Sequence, residues 1–153
     1  VARQQLDGHG ERREAPEERA VVLEGEHGRR REDGDLAGAR AAIEQALQIK
    51  EHGLPGKNRV YFFPDAAWAR RVSGVFANRK ATEKAAAAHA LITSNRDGSW
   101  RISVRAPLND CRDADTLCRR FPTGGGRAGA AGVTNLPYGM LDSFLADFQR
   151  MYQ

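Results

Sequence analysis

The chain has 153 residues, of which 41% are hydrophobic and 29% are charged. This composition suits one folded domain with a tail, and it excludes two large domains. No apolar run approaches the roughly 18 residues that a transmembrane helix needs, so the sequence predicts no membrane span. The first ten residues are polar and lack the apolar core of a signal peptide. Because the chain also lacks an initial Met, we expect a fragment or a processed form.

Charge is distributed unevenly along the chain. Residues 1–34 hold 7 Arg and no Lys against 9 acidic residues, whereas the remainder holds 17 basic residues against 11 acidic ones. A basic domain suits an anionic partner. The spacing of Cys111 and Cys118 matches neither a zinc site nor a redox pair. We therefore expect two structural thiols in a reducing, cytoplasmic environment.

The predicted organisation has three parts. Residues 1–34 are rich in Glu, Arg and Gly and are predicted to be a disordered tail, because few apolar groups are present to offset the entropy of ordering. Asp35 is the predicted N-cap of a connector helix that extends over about 36–51, within a connector region assigned to residues 35–53. Residues 57–153 are predicted to form the main domain.

The first elements of that domain are a strand and a helical region. Val60–Phe63 is a continuous apolar run, which is typical of a buried strand. Residues 66–90 are rich in alanine and predict helix, interrupted at Ser73 and Gly74. Either of these two residues is predicted to begin a helix whose N-terminus attracts an anion.

A hairpin follows this helical region. Residues 90–93 predict a strand, and residues 95–98 predict its turn because Asn, Asp and Gly tolerate positive φ. Residues 100–105 alternate between apolar and polar with period two, which indicates an antiparallel partner strand. One face of that strand carries Trp100, Ile102 and Val104, and the other carries Arg101, Ser103 and Arg105.

The remainder completes an alternation of strands and helices. Residues 110–121 predict a short helix, residues 124–132 a glycine-rich loop, and residues 131–134 a last strand. An apolar stripe after Pro137 predicts a terminal amphipathic helix. The predicted fold class is therefore α/β or α+β, with a small mixed β-sheet flanked by helices.

Three segments carry the candidate binding chemistry. Gly124, Gly125 and Gly126 predict a nest of bare amides for an anion, although a flexible turn is an equal alternative. Arg127 at the exit of this loop has the fork geometry that phosphate accepts. The other candidates are Ser103 and Arg105 on one strand face, and Arg71, Ser73, Gly74 and Asn78 in the helical region.

Together these segments resemble the DHH-associated domain, the C-terminal half of the DHH family of metal-dependent phosphoesterases. The family's first helix has a Val-Gly-Ile-Val-Ala-Ser-Arg-like run, which Ser73–Arg79 matches. Its central strand has Ser-x-Arg-Ser, matched by Ser103–Arg105. Its signature Gly-Gly-Gly-His-x-x-Ala-Ala-Gly is matched by Gly124–Gly132. The resemblance covers about residues 58–153.

Two substitutions depart from the family's motifs. Arg127 replaces the usual histidine, which keeps a cation but loses a group that exchanges protons near neutral pH. Ala106 replaces the second serine. The Asp-His-His motif and its metal ligands lie in a separate N-terminal domain of the family and have no counterpart here. The four histidines of this chain are scattered, and we expect His89 to be a structural residue.

The resemblance implies a division of labour. This chain would hold the phosphates of a phosphorylated small molecule, a nucleotide or a short single-stranded nucleic acid, and an N-terminal DHH domain of the parent protein, with manganese, would hydrolyse the ester. We expect no metal site and no catalytic residue in this chain, and no hydrolysis by it alone. The alternatives are a stand-alone nucleic-acid-binding or regulatory module and a remnant with no ligand.

Overall fold

The computed structural model describes residues 36–153, and its centre is a six-stranded mixed sheet. The strands in spatial order have the sequence numbers 1, 2, 3, 4, 6 and 5. The second and third run parallel, and every other neighbouring pair is antiparallel. The bounds are β1 Glu51–Gly53, β2 Arg59–Phe63, β3 His89–Ser94, β4 Trp100–Arg105, β5 Gly124–Gly126 and β6 Ala130–Leu136.

Within residues 36–153, four α-helices accompany this sheet, so the predicted mixed α/β class with flanking helices is confirmed. A 3₁₀ turn, Tyr138–Met140, precedes the last helix. The helices are α1 over residues 36–47, α2 Ala67–Glu83, α3 Ala114–Cys118 and α4 Leu141–Met151.

One face of the sheet is covered by the C-terminal helices. The alternation along β4 places Ile102 and Val104 on this face, where both are buried. They belong to one cluster with Leu117 of α3 and with Phe144 and Phe148 of α4. Burying a large apolar side chain contributes roughly 1.5–3 kcal/mol, so this cluster is the main source of stability in the C-terminal half.

The opposite face is covered over only part of its width. Tyr61 of β2 and Leu91 of β3 are buried there beneath Ala42 of α1 and Phe76 of α2. The Tyr61 and Phe76 rings meet edge to face with centroids 5.2 Å apart. Because α2 lies over β3 and β4, none of the described helices covers the same face of β5 and β6. We call this uncovered part of the sheet, with the adjoining side chains of β4, the open face.

Several element bounds differ from their predictions. The connector helix ends at residue 47, and Glu51–Gly53 is instead an edge strand that pairs with β2. The predicted break at Ser73 and Gly74 is wrong, since α2 is continuous through both residues. The short helix predicted over 110–121 is confined to α3. The predicted tail, residues 1–34, and the predicted N-cap Asp35 lie outside the described residues.

A partly buried polar network joins β1, β2 and β3 at one end of the sheet. The Tyr61 hydroxyl lies 3.2 Å from Glu51 Oε2 and 3.2 Å from His89 Nδ1. His89 Nε2 lies 3.2 Å from the carbonyl oxygen of Lys84, and because that oxygen only accepts, Nε2 carries the proton. His89 is fully buried, which confirms its predicted structural role.

This network makes stability depend on pH. Burial, partly offset by the bond to the Lys84 carbonyl and by Glu51, lowers the pKa of His89 below its ordinary value of about 6.5. In acid the unfolded chain therefore binds this proton before the folded chain does. Stability is at its full value above pH ~6.5 and falls as the pH drops below it, by at most about 1.4 kcal/mol per pH unit.

Urea denaturation between pH 7.5 and 5 measures this effect. In the His89→Gln variant the slope over this range is expected to flatten, because the titrating group is gone. Burial, the largest single effect, raises the pKa of the Glu51 carboxyl, but Lys84, Tyr61 and Arg59 together lower it by more. The pKa is therefore below its ordinary value, and Glu51 titrates in a more acidic range. An unchanged slope in the variant would contradict the assignment to His89.

Candidate functional site

The triple-glycine segment is an edge strand. Gly124–Gly126 forms β5 and pairs antiparallel with β6. Arg127 and Ala130 close the hairpin with two backbone hydrogen bonds, of 2.8 and 3.2 Å. The glycine-rich loop predicted over residues 124–132 is therefore wrong, because the pairing with β6 gives this segment a strand conformation.

Most amides of this strand already have acceptors. The mutual bonds at Arg127 and Ala130 set the alternation of the antiparallel ladder, which turns the Gly125 amide toward β6. The Gly124 amide donates to the carbonyl of Phe121 at 3.2 Å. The Gly124 and Gly125 amides are therefore unavailable for the predicted nest of bare amides at residues 124–126, and what Gly125 offers a ligand is its lack of a side chain.

Different constraints apply at the three glycine positions of β5. A Cβ on Gly124 would lie 1.6 Å from the carbonyl oxygen of Cys118, and Gly126 has a φ of +139°. A Cβ on Gly125 would meet nothing within 4 Å, and its backbone is of an ordinary kind. Packing thus requires glycine at 124 and backbone conformation favours it at 126, while at 125 it keeps the open face of the sheet bare.

Two arginines lie in one cross-strand row on that open face. Arg105 is the register partner of Ala130 in β6, and Arg127 pairs with the same alanine across the hairpin. Burial lowers the pKa of Arg105, and repulsion from Arg127 lowers it further. Among residues 36–153 neither guanidinium forms an ion pair with a carboxylate. The row is a concentration of unneutralised positive charge.

Asn78 of α2 orients one of these guanidinium groups. Arg105 donates from Nε to Asn78 Oδ1 at 3.0 Å and from Nη1 to its neighbour's carbonyl, that of Val104, at 3.2 Å. Two hydrogen bonds fix the plane of the group, and they leave its Nη2 donors for a ligand.

A shallow concavity of about 470 Å³ lies on the open face beside this row. Its floor is the backbone of Gly125 and Gly132, which are cross-strand partners. Its walls include Arg101, Thr123 and Thr134, which were not among the candidate residues predicted from the sequence. The lining comprises Arg101, Ile102, Ser103, Thr123, Gly124, Gly125, Gly132, Val133 and Thr134.

The structure separates the candidate residues into three groups. Ser103, Gly124 and Gly125 line the concavity, whereas Arg105, Arg127 and the Asn78 side chain that orients Arg105 form the row next to it. The other candidates, Gly126, Arg71, Ser73 and Gly74, do not line the concavity.

The helix candidates have mostly local roles. The guanidinium of Arg71 lies against α1, and Ser73 donates to the carbonyl of Arg70 at 3.2 Å. The predicted anion site at a helix N-terminus is therefore wrong, because Ser73 and Gly74 lie inside α2. Gly74 is exposed one turn before Asn78.

The described part of the chain has neither a cluster of metal ligands nor a membrane-spanning helix. Within residues 36–153 no three or more His, Cys, Asp or Glu side chains come together in a way that could hold a metal ion. Residues 36–153 therefore offer no cluster of side chains that would hold manganese. No helix in this range is long and apolar enough to cross a bilayer.

Solved structures with a similar fold include two larger proteins. An exopolyphosphatase-related protein from Bacteroides fragilis matches 74% of this chain with a TM-score of 0.53 and 15% identity. The DHH domain of a member of a family of ribosomal proteins matches 86% with a TM-score of 0.52 and 14% identity. This chain covers 33% of each of those chains. No family model and no curated protein matches the sequence.

Proposed function

We propose that this chain is the substrate-binding, DHH-associated domain of a phosphoesterase, and that it holds the phosphates of a nucleotide or a short single-stranded nucleic acid. The fold shared with part of a DHH-domain protein and of an exopolyphosphatase-related protein supports this proposal. The matches of Ser103–Arg105 and Gly124–Gly132 to the family's motifs support it independently. Hydrolysis would belong to an N-terminal DHH domain with manganese, outside this chain.

One observation carries the proposal. Arg105 and Arg127 lie in a single row on an open sheet face, without carboxylate partners in the described part of the chain, and each raises the electrostatic energy of the other. A bound phosphate would relieve this repulsion and accept hydrogen bonds from both groups. Such a contribution is positioning and charge neutralisation, and it breaks no bond.

The Arg127→Ala variant tests this role. We expect the affinity for a 5′-phosphorylated triadenylate to fall by roughly 1.5–3 kcal/mol, the usual range for hydrogen bonds to charged groups, or about 10- to 150-fold. Isothermal titration calorimetry on the full 153-residue chain measures it. Arg127 is exposed and has no partner side chain within the described range, so the variant should keep its stability.

The matched control removes a guanidinium from the other side of the sheet. Arg150 is exposed on α4, where its partner is Asp147. Arg150→Ala should bind the triadenylate as the unmodified chain does. Equal affinities of the Arg127 variant and the unmodified chain would remove Arg127 from the site.

A further inference from the structure

The concavity on the open face is displaced from the Arg105 and Arg127 row. Its lining includes Arg101 and Ser103 of β4 but neither of those two arginines. Since side chains alternate along a strand, Arg101, Ser103 and Arg105 all project from the same face. The open face therefore has Arg101 at one end, the row of Arg105 and Arg127 at the other, and a stretch without charge between them.

Arg101 and Arg105 are set apart along β4. Four residues of strand separate the Cα atoms of Arg101 and Arg105 by about 13 Å. Arg105 cannot swing toward Arg101 without breaking its bonds to Asn78 and to the Val104 carbonyl. Arg101 has no carboxylate partner within residues 36–153, so its charge remains free for a ligand.

The stretch between the two ends is neutral and rich in hydroxyl groups. Ser103 and Thr134 contribute hydroxyls above the bare backbone of Gly125 and Gly132. Thr123 Oγ1 accepts the backbone N–H of Asn135 at 2.8 Å, which leaves its proton available for a ligand. Hydroxyl groups of this kind contact the sugar and phosphate of nucleic acids.

We propose that Arg101 is a second phosphate contact and that the groove takes a single-stranded oligonucleotide of at least two nucleotides. The two charged ends would each contact a phosphate of the same strand, and the hydroxyl groups between them would meet its sugars. A linear polyphosphate has no sugar to accept or donate hydrogen bonds there. This assignment rests on the proposed function, because it takes the Arg105 row as the first phosphate contact.

The test compares three ligands on the full 153-residue chain. Adenosine 5′-monophosphate has one phosphate, the 5′-phosphorylated triadenylate has spaced phosphates, and inorganic tripolyphosphate has contiguous ones. Arg101→Ala should weaken triadenylate binding about tenfold or more, as for a hydrogen bond to a charged group, and leave the monophosphate nearly unchanged. Arg105→Ala should weaken both, and Arg150→Ala neither.

Salt dependence gives a readout that a change in folding would not imitate. Losing one phosphate contact should reduce the slope of log K against log salt concentration by about 0.7 for a single strand. We expect this reduction in Arg101→Ala with the triadenylate and not with the monophosphate.

Four outcomes would overturn the assignment. Equal losses for monophosphate and triadenylate would place Arg101 at the first phosphate, and no loss for either would make it a solvated side chain. Tripolyphosphate binding as tightly as the triadenylate would exclude an oligonucleotide-specific groove. If none of the three ligands binds the unmodified chain, the proposed function fails, and this assignment fails with it.

Discussion

Replacing Gly124 with alanine is expected to destabilise the fold by about 3 kcal/mol, in the upper range for overpacked substitutions. The added Cβ would lie 1.6 Å from the carbonyl oxygen and 2.4 Å from the carbonyl carbon of Cys118, at the end of α3. Neither atom can move as a flexible side chain would, so the strand or the helix must shift. Chemical denaturation measures the loss as a lower midpoint.

The neighbouring glycine supplies the control for this prediction. A Cβ on Gly125 meets nothing within 4 Å and needs no unusual φ. Gly125→Ala should therefore be neutral or stabilise by up to about 1 kcal/mol, because alanine restricts the unfolded chain. Equal denaturation midpoints for the two variants would show that α3 and β5 are not packed as described.

The strands that the sequence predicts well are those with a strong local pattern. Val60–Phe63 is a continuous apolar run, and residues 100–105 alternate with period two, so β2 and β4 were both predicted. Gly124–Gly126 has no such pattern, because glycine has no side chain to alternate and is disfavoured in strands. Its strand conformation comes from β6, a partner that local sequence cannot reveal.

Helical propensity gave the wrong prediction at Ser73 and Gly74, in the middle of α2. An exposed glycine inside a helix costs roughly 1 kcal/mol against alanine, which favoured a break at Ser73 and Gly74. Buried neighbours on either side, Val72 and Phe76, keep α2 continuous through this point. Tertiary packing outweighs the local preference there.

The candidate site was predicted only in part, for a related reason. Alternation places Arg101, Ser103 and Arg105 on one face, but it does not say which part of that face a helix covers. The position of α2 over β3 and β4 decides this, and it leaves Arg101 beside an open concavity. The orientation of Arg105 by Asn78 is a contact between residues 27 positions apart, which no local pattern contains.

The double variant Arg105→Ala/Arg127→Ala is expected to lose at least about 3 kcal/mol of binding free energy for the 5′-phosphorylated triadenylate, since each guanidinium contributes charge-assisted hydrogen bonds. The two groups repel each other in the free protein, and in the proposed complex they contact one phosphate. Removing one therefore changes what the other contributes. The losses of the single variants should not add, and the difference should be at least about 0.5 kcal/mol.

A double-mutant cycle with titration calorimetry measures this coupling, and Arg101 supplies its control. Because Arg101 is proposed to contact a different phosphate, the cycle of Arg101→Ala with Arg127→Ala should be additive within about 0.5 kcal/mol. Strong coupling in the first cycle and additivity in the second would separate the two phosphate contacts along the groove. Additive losses for Arg105 and Arg127 would mean that they do not hold the same phosphate, and the shared row would then lose its functional meaning.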